Sequence, residues 1–111
     1  MKRIEAIIRP QCLERVKDRL TEIGVAGLTV VDVKGFGRQK CQEVYRGVEF
    51  TVDFLPKVMV IIVTDDDSVS EIIDAITAGA QTGKTGDGRI FVTAIEAAVN
   101  IRSGAWNHAA V

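Results

Sequence analysis

Cysteine and proline are scarce in this chain, and long apolar runs are missing. The two cysteines, Cys12 and Cys41, form neither a metal-ligand spacing nor a disulfide framework, so Cys12 reads as a small apolar residue. Two prolines beside ten glycines, with 47% apolar and 26% charged residues, describe a globular chain rather than a disordered one. From Met1 to Arg9 charges interrupt every apolar run, which leaves no signal-peptide core and no membrane-spanning segment and predicts a cytoplasmic protein. An excess of charge of one sign is also absent. Fourteen basic residues against fifteen acidic ones give a net charge of −1, which argues against nucleic acid as a partner. At 111 residues the chain is expected to be a single domain.

What is present is regular. Lys2 to Arg9 alternates branched apolar with charged residues, as a strand does, and Pro10 ends it. Leu13, Val16, Leu20 and Ile23 share one face of a helix over 11–23 that Gly24 terminates. A valine-rich strand follows from Leu28 to Lys34. Val48 to Leu55 alternates, Pro56 falls where a turn is expected, and Val58 to Val63 is nearly all apolar, as a central strand is. Ser68 and Glu71 fit a capping box ahead of a helix whose buried face is Val69, Ile72, Ile73, Ile76 and Ala80. A last strand runs from Arg89 to Ile95. This order predicts an α+β, ferredoxin-like βαββαβ fold, a four-stranded antiparallel sheet with two helices on one face.

Two segments fall outside the pattern. Gly35 to Gly47 has no period and exceeds what a hairpin needs, which marks a functional loop. The second is TGKTGDGR, Thr82 to Arg89, whose glycines let backbone amides crowd an anion while Lys84 and Arg89 add charge. Taken alone, such a loop reads more readily as a solvated turn than as an anion site. Gly83-Lys84-Thr85 invites a nucleotide triphosphatase reading, but Gly79 precedes Gly83 by three intervening residues instead of four. The loop also leads from a helix into a strand, the reverse of that motif.

Lys34-Gly-Phe-Gly-Arg-Gln-Lys40, Tyr45-Arg-Gly47, Val52-Asp-Phe-Leu-Pro-Lys57, Gln81 to Phe91 and the opening Lys2 to Pro10 together resemble the PII nitrogen-regulatory signal proteins, from Met1 to about Gly104. The resemblance implies a compact, non-enzymatic homotrimer. Clefts between its subunits would bind ATP or ADP, with magnesium and 2-oxoglutarate joining ATP. Residues 35–51 would be the target-binding T-loop, 82–89 the B-loop beneath the phosphates, and 100–111 the C-loop and tail. It further implies that Thr29, Gly35 and Val63 line the adenosine pocket and that Arg38, Gly86, Gly88, Arg89 and Arg102 surround the phosphates, Arg102 from a neighbouring subunit. Gln39 would hold magnesium, as suits an ion that binds through substrate phosphates with few protein ligands. Gln39, Lys57 and Gly86 would meet 2-oxoglutarate, and Lys40, Tyr45 and Arg46 would touch the target. Targets of such proteins include ammonium transporters, glutamine-synthetase-modifying enzymes and biosynthetic kinases, and none requires insertion into the membrane.

The departures fall on regulatory positions. Phe50 stands where many relatives carry a tyrosine that receives a nucleotidyl group, and Val48 where others carry a phosphorylated serine, so neither modification has a hydroxyl to act on. One residue fewer separates Lys40 from Tyr45, with Cys41 in place of a glycine, which shifts the loop tip by up to about 3.5 Å. Asn100 replaces a phosphate-contacting arginine. The altered loop keeps open a target outside nitrogen metabolism, such as a bicarbonate transporter. A slow ATPase is a further alternative, with Glu43 or Asp87 as its base.

Overall fold

A computed structural model describes residues 1–37, 41–45, 48–52 and 54–111, with 41–45 and 48–52 described as backbone alone. Alternation in the first strand, β1 (Lys2–Ile8), buries Ile4, Ala6 and Ile8 and turns Arg3, Glu5 and Ile7 to the opposite face. Its neighbour β5 (Leu55–Thr64) buries Val58, Val60 and Ile62, and the antiparallel register sets Ile4 opposite Ile62, Ala6 opposite Val60 and Ile8 opposite Val58. With β2 (Thr29–Gly35) on one edge and β6 (Arg89–Ala94) on the other, the sheet runs β2-β5-β1-β6 and is antiparallel throughout. This is the expected ferredoxin-like α+β fold.

Both helices cover the face that β1 and β5 bury. Val16 and Leu20 of α1 (Leu13–Glu22) and Ile72, Ala75, Ile76 and Ala80 of α2 (Val69–Ala80) complete one core. At Gly79 the helices are tightly packed: a β-carbon there would lie 2.8 Å from the Val16 α-carbon. The end of α1 is a Schellman motif. Val25 N–H donates to Leu20 O at 3.0 Å and Gly24 N–H to Thr21 O at 3.0 Å, with Gly24 at φ +89°.

The fold departs from the sequence expectation in four places. The first helix is entered through a 3-10 turn, Pro10–Cys12, because proline presets the dihedral of an opening turn and lacks only an N–H that would be orphaned there. The capping box does not form. Ser68 is helical (φ −94°, ψ −5°) and makes no side-chain cap, because a 3-10 turn over Asp66–Ser68 already begins the helix. Pro56 lies inside β5, opposite Lys34; β1 pairs with β5 only as far as Val58, so on that side no partner needs the missing N–H. Lastly, Cys41–Tyr45, expected to be irregular, is a strand (β3) that pairs antiparallel with β4 (Val48–Val52), Tyr45 opposite Val48. These two strands make a sheet of their own, so the alternation of 48–52 does not belong to the main sheet, which begins again at Leu55.

Candidate functional site

Four chain segments converge at one end of the main sheet: the end of β2 at Gly35, the start of β5 at Lys57, the residue after β1, Arg9, and the glycine loop that leads into β6. Lys57 is half-buried. Its stem passes so close to Gly35 that a β-carbon there would lie 3.3 Å from Lys57 Cγ, and its Nζ donates to Gly86 O at 2.8 Å. Gly35, Lys57 and Gly86, which lie far apart in the sequence, are therefore neighbours. Gly83, Gly86 and Gly88 have φ of +84°, +103° and +105°. Gly88 is the most constrained: a β-carbon there would sit 1.7 Å from Ile7 O, so the loop lies directly on the β1 backbone. Beside it a hollow of about 310 Å³ is lined by Ile7, Asp87, Gly88 and Arg89 among others. Lys84 and Arg89 are exposed at this end.

The loop is held from within by Asp87. Thr82 N–H and Gly83 N–H each donate to Asp87 Oδ2 at 2.8 Å, the Thr82 hydroxyl bonds Asp87 Oδ1, and Arg9 Nε reaches the same oxygen at 3.3 Å. Arg9 also donates through a terminal nitrogen to Thr85 O at 2.8 Å. The Thr82 hydroxyl, the Thr82 and Gly83 amides and Arg9, partly opposed by burial, hold the Asp87 carboxyl well below the usual carboxylate range. A carboxylate so occupied is a poor proton acceptor, which counts against Asp87 as the base of a slow ATPase. This clasp was missed from the sequence. Its only signal there was an aspartate among the cations of TGKTGDGR, since no local period links it to Arg9, 78 residues away.

The remaining residues of the expected nucleotide set lie elsewhere. Thr29 begins β2 and pairs with Ile61, six residues and about 20 Å along the strand from Gly35. Val63 pairs with Arg3 near the end of β5, on the lining of a hollow of about 520 Å³ that also includes Gly24, Gly27, Thr64, Glu71 and Val111. The larger hollow is thus at the opposite end of the sheet from the glycine loop. The segment after β6 is tied to that far end, Ile95 N–H donating to Met1 O at 3.2 Å and His108 Nδ1 lying 2.5 Å from Asp65 Oδ1. Within this segment Val99 bridges Trp106, and the exposed Arg102 sits in the turn between Asn100 and Gly104. Asn100 shapes that turn. Its Oδ1 accepts from Ser103 N–H at 3.1 Å, its N–H donates to Ala105 O at 2.8 Å and its carbonyl accepts from Gly104 N–H at 2.7 Å.

Arg38, Gln39, Lys40 and Arg46 lie outside the described residues, and the backbone alone is described at Tyr45 and Phe50. Among the described residues no three of His, Cys, Asp and Glu are grouped to hold a metal ion. Nor is any described helix long and apolar enough to cross a membrane.

A family model, nitrogen regulatory protein P-II, matches residues 1–105. Among similar proteins, the nitrogen regulatory protein P-II of Bradyrhizobium diazoefficiens is 58% identical over 105 residues, covering 94% of each chain. That of Pasteurella multocida and the nitrogen regulatory protein P-II 1 of Escherichia coli are both 52% identical over 112 residues, covering the whole of each chain. The same order of strands, helices and glycine loop that brings Lys57 onto Gly86 is therefore carried by a chain that belongs to the nitrogen regulatory protein P-II family.

Proposed function

We propose that this P-II chain, whose family role is signalling in nitrogen regulation, acts as a homotrimeric sensor that binds ATP or ADP in clefts shared between copies and reports the occupant through residues 35–51. One observation carries the reading. The residues expected around the nucleotide divide into two groups at opposite ends of the same sheet: Gly35, Gly86, Gly88 and Arg89 at one, and Thr29, Val63 and the segment holding Arg102 at the other. One chain cannot wrap both groups around one ligand. Two copies, the near end of one against the far end of the next, bring them together, and a cyclic arrangement repeats the contact until it closes.

Each group has suitable chemistry. Gly86, Gly88 and Arg89 offer backbone amides and a guanidinium to a polyphosphate, for which the fork of arginine is well matched. Lys57, beside Gly86, would meet the carboxylate of 2-oxoglutarate, and Gln39 would supply magnesium with an oxygen while the phosphates supply others. A metabolite shifts the T-loop only to the extent that it binds one loop conformation more tightly than another, and the loop then engages or releases a transporter or metabolic enzyme. Such a partner makes any membrane association peripheral.

Calorimetric titration with ATP and with ADP, each with and without magnesium and 2-oxoglutarate, tests this. Synergistic binding of magnesium-ATP and 2-oxoglutarate is the expected result. Nucleotide binding that 2-oxoglutarate leaves unchanged would replace it with an adenylate sensor for another co-ligand and another transporter, such as one for bicarbonate. Absence of nucleotide binding would overturn it altogether.

A further inference from the structure

The geometry points to Asp87 as a positioning residue: it closes the first half of the glycine loop onto itself, so that Gly86 to Arg89 is the half that receives the polyphosphate, and it holds Arg9 behind that half. This rests on the nucleotide reading above. Three donors from Thr82 and Gly83 converge on one carboxylate, so the amides that begin the loop are spent within it. A phosphate approaching those amides would have to displace an anion already paired with Arg9. The second half is fixed differently. Gly86 O accepts from Lys57 Nζ at 2.8 Å and Asp87 N–H donates to Lys84 O at 3.3 Å, so both polar groups of the peptide plane between Gly86 and Asp87 are held. Arg9 joins the halves, with one nitrogen on Asp87 and another on Thr85 O. Asp87 therefore serves the site without facing the ligand: it sets the loop's shape, and its charge, neutralised by Arg9, does not repel phosphate.

Four variants separate this from a general structural role: Asp87→Ala, Asp87→Asn, Arg9→Met and the double variant Arg9→Met with Asp87→Asn. Each is titrated with ATP, and amide hydrogen exchange at Thr82 and Gly83 is followed without nucleotide. Asp87→Ala is expected to weaken ATP by about tenfold to a hundredfold, because charge-assisted bonds that shape the loop are lost. Exchange at both amides should accelerate while the amides of Ile4 and Val60 in the core stay protected. Asp87→Asn keeps one oxygen for the two amides and should recover part of the loss. Since Arg9 and Asp87 act as a unit, the double variant should bind ATP no more weakly than the poorer single variant. If wild-type chain binds ATP and Asp87→Ala, with its loop amides freed, binds it equally well, the positioning role is wrong and the nucleotide reading stands. If wild-type chain binds no nucleotide, both are wrong. Should Asp87→Ala not fold, Asp87→Asn and Arg9→Met decide the matter, and strictly additive losses in their double variant would overturn the inference.

Discussion

At Gly88 a methyl group would overlap the Ile7 carbonyl oxygen, and its φ of +105° is one that side chains rarely adopt. The Gly88→Ala substitution must lift the loop from β1, at about 2–6 kcal/mol for dihedral strain and overlap together. Urea unfolding should show that loss, and ATP titration should show weaker binding because the loop is displaced. Asp87 makes a prediction about acid. Its folded pKa lies below its ordinary value of 3.8, so the stability it contributes is fully present above that value and is lost as pH falls through the lowered folded pKa. The stability difference between wild type and Asp87→Asn should thus be constant from pH 7 to about 5 and shrink below about 4. A difference that instead changes between pH 5 and 7 would assign the effect to another group. On the proposed reading, Asn100 stands where an arginine would contact phosphate, and it also has a structural task. Asn100→Arg is expected to tighten ATP by about tenfold through a regained charge-assisted contact. It should also cost about 0.5–1.5 kcal/mol of stability as Ser103 N–H loses the side-chain oxygen. Titration and unfolding of one variant read both.

Among the elements, the two helices meet at a point that admits no side chain. Gly79→Ala would place a β-carbon 2.8 Å from the Val16 α-carbon, and backbone cannot rotate aside as a side chain does. Forcing the helices apart should cost about 1–3 kcal/mol, offset by at most about 1 kcal/mol of improved helix propensity. Thermal unfolding of this variant should therefore fall below wild type, and a rise would mean that the crossing is looser than described. Elements of this kind were legible wherever burial imposed a period. Ile4, Ala6 and Ile8 alternate because the helices cover one face of β1, and Leu13, Val16 and Leu20 recur because α1 lies on that face. Pro56 misled because strand rules exclude proline only where its N–H is needed, and that depends on where β1 stops pairing. The strand Cys41–Tyr45 was illegible for a related reason. It pairs with β4 alone, outside the sheet whose buried face imposes alternation. In the clasp, Thr82 and Asp87 belong to one short loop, but Arg9 comes from a distant segment, a contact that no local pattern encodes.

At the scale of the whole molecule, the candidate site was legible as a set of residues but not as an arrangement. The predicted strand already separates Thr29 from Gly35, whereas only the sheet reveals that Gly86 gathers at the Gly35 end and Val63 at the other. That separation allows a test of the shared cleft that does not depend on the affinity of any single contact. If the cleft is shared as proposed, Arg89→Ala would damage its near-end half and Arg102→Ala its far-end half. A trimer made of either variant alone has every cleft damaged. In a cyclic trimer containing both, the near end of an Arg102→Ala copy meets the far end of an Arg89→Ala copy once, which restores one cleft. Refolding the two variants together in equal amounts should recover about a quarter of the wild-type number of high-affinity ATP sites, since most random trimers are mixed. A site contained within one chain would recover none, because every chain in the mixture carries one of the two lesions. Site number from titration is the deciding quantity, since partial recovery of affinity without recovery of sites would reflect weak residual binding in damaged clefts.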